Sequence, residues 1–437
     1  MRGLLRRNDG GGRWFLGRCI LTAVVFMMAL IPGADIFGQS GLSPRSIAMG
    51  GAYSTLAEGA EAPFWNPANL GLRGQRSAYI NLFSLTLGIR NNSFSSGQYE
   101  KYNGKFLTPS DKKALIESIP EDGFKLLLSS NIRPLGLSVP PFALVTDTHV
   151  GSDLVLARDY FDLFFNGNEP DRVYRFDGTG GEAWAYASIC FSVGYRVPAP
   201  FFDQLSAGLS YRYILGVGFA EVAKSQGSFV TDIEGARADG EVLLRYAMNR
   251  DGPFAGKGFA FDLGFAGVKE GWRVGLSFIN LINSIRWGKE VKEYELSFRT
   301  LKPLTVASSN VDSLIDSSDS EREVTGLRRR LPVIMNLGAS RRFGMFLVAM
   351  DYQQGFGEMA EISRRPRFAL GVEFSGLKIL PLRSGLSLGG ETGAGSSAGF
   401  GLRLYPLNID LGVDFPGKIW PFDSKGISIS MAVGMAF

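Results

Sequence analysis

The feature that most limits the fold is a strict two-residue alternation at the end of the chain. In an extended conformation Ile427, Ile429, Met431, Val433, Met435 and Phe437 share one face, while Ser428, Ser430, Ala432, Gly434 and Ala436 share the other. A helix would scatter these residues around its circumference, so the segment reads as a strand with one large apolar face and one small face. The pattern recurs. Phe400, Leu402 and Leu404 alternate with Gly399, Gly401 and Arg403, and Ile409, Leu411, Val413 and Phe415 with Asp410, Gly412 and Asp414. Segments 205–213, 259–265, 272–278 and 367–374 repeat it. Weaker copies lie at 77–90, 135–149, 184–196, 237–249, 290–299, 331–340, 345–352 and 383–390. The total is roughly fourteen to sixteen strands, many separated by turn residues such as Asp251-Gly252-Pro253 and Lys269-Glu270-Gly271, which imply an antiparallel meander.

The two faces decide what such strands line. A soluble sandwich turns its large apolar residues inward and its charges outward. Here the second face is mostly Gly, Ala and Ser with an occasional Asp or Arg, which suits a crowded polar lumen. The large face carries aromatic residues near segment ends (Trp272, Tyr211, Tyr213, Tyr405), as interfacial girdles do. Glycine at 56 of 437 residues and charge at only 20% fit the same picture. An open sheet edge in hydrocarbon would leave backbone groups unpaired, so the sheet must close. The fold class is all-β: a transmembrane antiparallel meander barrel of roughly fourteen to sixteen strands.

Ahead of the strands, Arg2, Arg6, Arg7, Arg13 and Arg18 precede a thirteen-residue apolar run, Cys19 to Ile31. That run is short for a membrane-spanning helix and fits the apolar core of a secretory signal. Residues 1–40 read as a signal peptide cleaved between 34 and 40, with an uncleaved amino-terminal anchor as the alternative. Without them the chain carries 41 basic and 40 acidic residues, too even a balance to mark a nucleic-acid partner. Cys19, Cys190 and the single His149 exclude a disulfide framework and any Cys- or His-rich metal site, and no cofactor motif is present.

Residues 77–437 contain the barrel; 41–76, rich in Gly, Ala and Pro, have little strand character and are expected as a hatch. A short helical insert is expected near 110–120, over Asp111–Ile119 with Ser110 as a cap, and a long polar loop near 300–330.

Within the hatch segment, Ala48-Met49-Gly50-Gly51-Ala52 and Trp65-Asn66-Pro67-Ala68, followed by Leu70, resemble the amino-terminal signature of the FadL-like outer-membrane barrels. That superfamily holds long-chain fatty-acid and hydrocarbon transporters and the PorV/PorQ-like barrels of type IX secretion. The clear match covers about 30 residues. The resemblance implies fourteen strands, a hatch within the barrel, a hydrophobic ligand, the outer membrane of a Gram-negative-type bacterium, and a terminal Phe437 read by the barrel-assembly machinery. It leaves two functions open: a passive transporter or binding channel for hydrophobic molecules such as long-chain lipids, or a non-enzymatic scaffold for secreted or secretion-system proteins.

On the residues themselves, Gly50-Gly51 would let the chain bend close to the wall. Pro67 restricts Asn66 to an extended conformation from which it can cap a turn. Arg45, Met49, Phe64 and Trp65 are the expected ligand contacts, with plain packing against the wall as the alternative for each. Asp147 and His149 would share a strand face while Ser152 would point away, and no nucleophile elbow accompanies them, so no catalytic residue is assigned. Arg212, Asp262, Arg273, Arg403, Asp410 and Asp414 fall on lumen faces, where pairing or water is expected for each. The basic clusters Arg328-Arg329-Arg330, Arg341-Arg342 and Arg364-Arg365-Pro366-Arg367 face either end of the barrel.

Overall fold

The computed structural model describes residues 42–249, 251–288, 290–305, 314–357, 363–391 and 393–437; the expected signal peptide lies outside them. Fourteen antiparallel strands close on themselves. In chain order they are β1 (Tyr79–Asn91), β2 (Phe124–Val139), β3 (Phe142–Leu156), β4 (Gly180–Val197), β5 (Gln204–Asp232), β6 (Gly256–Lys269) and β7 (Trp272–Trp287). The second half comprises β8 (Ile334–Phe343), β9 (Phe346–Gly355), β10 (Arg367–Phe374), β11 (Leu382–Gly389), β12 (Gly393–Leu404), β13 (Leu407–Pro416) and β14 (Gly426–Ala436). Each strand pairs with its sequence neighbour in this series, and β1 pairs with β14, so the ring has no free edge.

The alternation read from the sequence is the alternation of the wall. In β14, Ile429 is 54% exposed on the outer face while Ser430, one residue on, is 1% exposed inside. Trp272, Tyr211, Tyr213 and Tyr405 are exposed on the outside. Short turns at Pro140-Pro141, Glu270-Gly271, Gly344-Met345 and Tyr405-Pro406 lie at the end of the barrel that holds the carboxyl terminus. The other end carries the long connections, among them helices α3 (Ser96–Tyr102), α4 (Pro109–Glu117) and α5 (Arg158–Asn166). The cap of α4 is Thr108 rather than the expected Ser110. Pro109 takes the first helical position, which its fixed φ suits, and Asp111 returns the hydrogen bond to Thr108.

Three sequence expectations change. Segment 135–149 is two strands, because Pro140-Pro141 turns the chain between β2 and β3. Segments 237–249 and 290–299 do not join the wall. As Gly235–Met248 and Val291–Thr300 they pair beside the long outer half of β5, beyond the ring. Residues 300–330 are not one loop, since Ile315–Glu323 adds a further strand to this outer sheet. What holds so polar a strand is a charge ladder across the sheet: Arg245 bridges Glu221 and Glu293, and Glu293 accepts from Arg322.

Candidate functional site

The segment from Ser43 to Leu72 is folded inside the barrel, in the half nearest the short turns, and nearly all of it is buried. It begins with α1 (Pro44–Ala48), started by a capping box in which Ser43 and Ser46 exchange side-chain and backbone hydrogen bonds. Gly50 (φ 65°) and Gly51 (φ 85°) then reverse the chain in a region that favours glycine. A second short helix, α2 (Ala62–Trp65), leads to Asn66 (φ −158°, ψ 101°), the extended conformation that a following proline imposes. Its Oδ1 accepts from the Ala68 N–H at 3.1 Å, capping the 3-10 turn Pro67–Gly71, and its Nδ2 donates to the Phe265 carbonyl of β6 at 2.9 Å.

The wall makes room for this plug with glycine. Gly194, Gly208 and Gly264 lie side by side across β4, β5 and β6, and the pairs Gly275–Gly338, Gly371–Gly385 and Gly399–Gly412 continue the belt. A Cβ at Gly385 would sit 2.1 Å from the Gly50 nitrogen, one at Gly412 2.3 Å from the Pro44 carbonyl oxygen, and one at Gly264 2.1 Å from Asn66 Oδ1. The glycine-rich small face thus seats the backbone of the hatch directly against the backbone of the wall.

Polar groups lock the seat. Asp351 Oδ2 on β9 accepts from the Tyr53 and Ser54 N–H groups at 3.0 and 2.7 Å. Arg367 donates to the Gly50 carbonyl at 2.9 Å, Ser277 to that of Trp65 at 2.5 Å, and Thr55 to Ser340 at 2.8 Å. Sequence reading missed Asp351, Arg367 and Ser277 as hatch anchors. Each stands on the small-residue face of its strand, the one signal that could have found it. Asp351→Ala should leave two buried N–H donors unpaired and cost about 2–5 kcal/mol; the expected result is faster proteolysis within 43–72 of a barrel that still migrates as folded.

The expected site residues divide. Arg45 is committed to the wall, holding Glu373 with two hydrogen bonds of 2.9 and 3.1 Å. Glu373 also accepts from Arg383, which reaches Asp410, itself paired with Arg403. Burial opposes the charge on Arg45, but the Glu373 carboxylate outweighs it and raises the guanidinium's pKa. Met49 packs over Gly371. Trp65 is 1% exposed and meets Tyr53 edge-on at 5.6 Å. Burial, then the Glu61 carboxylate that its hydroxyl touches, push the Tyr53 phenol well above its ordinary range. Phe64 lies beneath Arg133, 4.7 Å from ring centre to guanidinium carbon.

Beyond the hatch lies a polar layer. Asp147 contacts His149 and also accepts from Ser188, while Arg212 pairs with Asp262 at 2.8 Å and reaches Asn280 at 2.5 Å. At the short-turn end, by contrast, Arg273 ties the wall to hatch residue Glu58 at 3.1 Å. The serine beside Asp147 donates to the carboxylate and Ser152 sits elsewhere on β3, so the arrangement lacks the nucleophile-to-imidazole link of a triad. Beyond this layer, towards the long connections, Trp184, Tyr186, Ile214, Phe219, Ile285, Trp287 and Leu331 form a buried apolar cluster on the inside of the wall. Among the described residues, the Trp287 indole N–H within it has no hydrogen-bond partner.

A barrel with such a hatch has solved counterparts. The chain is similar to the Ralstonia pickettii toluene transporter TbuX (TM-score 0.53, 15% identity) and the Pseudomonas putida toluene transporter TodX (TM-score 0.54, 12% identity), covering 91% of this chain and 99% of each. It is also similar to a Pseudomonas aeruginosa FadL homologue (TM-score 0.53, 13% identity, 92% of this chain and 100% of that one). At these identities the likeness establishes a common fold, that of the FadL-type barrels which the hatch signature resembles. A search of curated protein sequences gives no match. Residues 67–414 match the model of DUF5723, a family of unknown function, and the chain belongs to that family.

Proposed function

We propose that this protein is a non-enzymatic outer-membrane channel that binds hydrophobic molecules and passes them inward, in a Gram-negative-type bacterium. The observation that carries the reading is the layered lumen: a hatch seats itself in one half of the barrel, and an apolar, tryptophan-containing cluster lines the other. Ligand sites are mostly apolar with a few polar groups that orient the bound molecule. The outer cluster has that character, with the Trp287 N–H, unpartnered among the described residues, as its orienting donor. The fold shared with toluene transporters and a FadL homologue supports the same reading. In outer-membrane barrels the short turns face the periplasm and the long loops face outward. On that rule the hatch guards the periplasmic half, Arg341-Arg342 lies near the periplasm, and Arg328-Arg329-Arg330 lies outside.

The test is binding of a radiolabelled panel of alkanes, alkylbenzenes and long-chain lipids to the purified, folded barrel. Saturable binding is expected for at least one class, weakened severalfold by Phe219→Ala and unchanged by Phe106→Ala, because Phe219 is buried in the cluster and Phe106 is fully exposed. Absence of saturable binding across the panel would move the assignment to the protein-binding scaffold.

A further inference from the structure

Of the three consecutive arginines beyond β8, the middle one turns inward. Arg329 contacts Glu221 and lies over the Phe219 ring, 5.0 Å from ring centre to guanidinium carbon, while Arg328 and Arg330 are exposed outside. The short strand Leu327–Arg329 pairs with the end of β7, which sets Arg328 opposite Arg286, and β7 pairs with β6, which sets Arg286 opposite Lys257. Three exposed cations therefore stand side by side across adjacent strands, with Arg330 two residues from Arg328. Like charges directly opposite one another destabilise a sheet. Among the described residues, none of the four has an ion-pair or hydrogen-bond partner. The neighbouring outer sheet is built the other way: Lys224 holds Glu241, Lys292 holds Glu321, and Arg299 faces Asp239 and Asp316. The row of Lys257, Arg286 and Arg328 lacks the anions that its neighbours have.

The level of the row on the wall identifies where those anions come from. On β6 the outward residues between Lys257 and Lys269 are Phe259, Phe261, Leu263, Phe265 and Gly267, all apolar. Twelve residues separate the two lysines, roughly 30 Å across the membrane for a strand tilted by about 40°. An apolar band of about 25 Å fits between them. Lys269 adjoins a short turn, so Lys257 and its row stand at the head groups of the outer leaflet. Phe259 and its ladder partner Tyr213, both exposed, form the aromatic girdle just below.

We propose that Lys257, Arg286, Arg328 and Arg330 bind the phosphate monoester of an outer-leaflet glycolipid of the lipid A type, whose acyl chains lie along the outer faces of β6 and β7. Each arginine can offer a phosphate two parallel N–H donors, and the lysine adds a point charge. A free phosphate ion is held weakly by exposed cations in salt, whereas the lipid is anchored as well by its chains against Phe259 and Ile282. The inference rests on the outer-membrane placement of the barrel and not on transport, so a failure to bind hydrocarbons leaves it standing.

The experiment uses the full chain, purified and folded in detergent, with native mass spectrometry measuring retained lipid. The probes are phosphorylated lipid A, the same lipid after phosphatase treatment, phosphatidylglycerol and inorganic phosphate. The wild type should bind the phosphorylated form at least about tenfold more tightly than the dephosphorylated one. Lys257→Gln, Arg286→Gln and Arg328→Gln combined should abolish that preference, while Lys269→Gln, at the other end of β6, should keep it. Equal affinity of the two lipid forms for the wild type overturns the inference and needs no variant to show it. A triple variant that is folded by heat-modifiability and keeps the preference also overturns it, because the phosphate is then held elsewhere. Phosphatidylglycerol binding as tightly as lipid A would overturn it as a general attraction to anionic lipid, and inorganic phosphate displacing lipid A at equal concentration would overturn it as a free-ion site.

Discussion

Gly385→Val should unseat the hatch, whereas Ser384→Val, one residue earlier on the same strand, should be silent. Ser384 points out of the barrel and Gly385 points in, where a Cβ would meet the Gly50 nitrogen at 2.1 Å and the Met49 carbonyl carbon at 2.3 Å. Both atoms are backbone, so no side-chain rotation relieves the clash. Overpacking of this kind costs about 1–3 kcal/mol where neighbours can shift. Here the cheapest shift is expulsion of the α1 end of the hatch. The wall hydrogen bonds of β11 are untouched, so the barrel should still fold. The expected results are rapid proteolysis within 43–72 and higher single-channel conductance for Gly385→Val alone. If both variants kept a protease-resistant hatch, the glycine belt would not be its seat.

Met431→Arg should impair assembly of the wall itself. Met431 lies midway along β14 on the outer face, flanked by Leu85 of β1 and Leu411 of β13. A strongly basic side chain at the midplane of a membrane barrel costs about 2–4 kcal/mol, falling towards the interfaces. Met431→Leu, which conserves the apolar surface, should fold as the wild type does. Heat-modifiability on gels after refolding into vesicles measures the difference. Equal folded fractions for the arginine and leucine variants would place Met431 out of lipid and contradict the outward assignment of this face.

Much of this was legible because a membrane wall writes its geometry into every second residue. The faces of β14, β12, β13 and β6 follow from alternation alone, since lipid demands apolar side chains and a filled lumen demands small ones. The cap of Asn66 could be anticipated for a local reason: Pro67 fixes the residue before it, and the turn lies two residues on. What stayed hidden depends on distant partners. Asp351 meets hatch residues 298 positions away in sequence, and the belt glycines count only once their strands are in register. Arg45 looked free to hold a ligand because Glu373 is 328 residues distant. The outer sheet beside β5 was mistaken for wall because its strands alternate as wall strands do, and period alone cannot say whether a strand borders lipid or stands above it.

The claim that molecules pass through this barrel only when its hatch moves is open to one direct measurement. The side-chain oxygens of Thr55 on the hatch and Ser340 on the wall are 2.8 Å apart, which brings the sulfurs of Thr55→Cys and Ser340→Cys within reach of a disulfide. The double variant, reconstituted into vesicles, is assayed for uptake of whichever labelled compound the wild type binds. Uptake should stop on oxidation and return on reduction, with the single-cysteine variants unaffected by either treatment. Equal uptake by the oxidised and reduced double variant, with the cross-link confirmed by mass spectrometry, would contradict passage through the hatch.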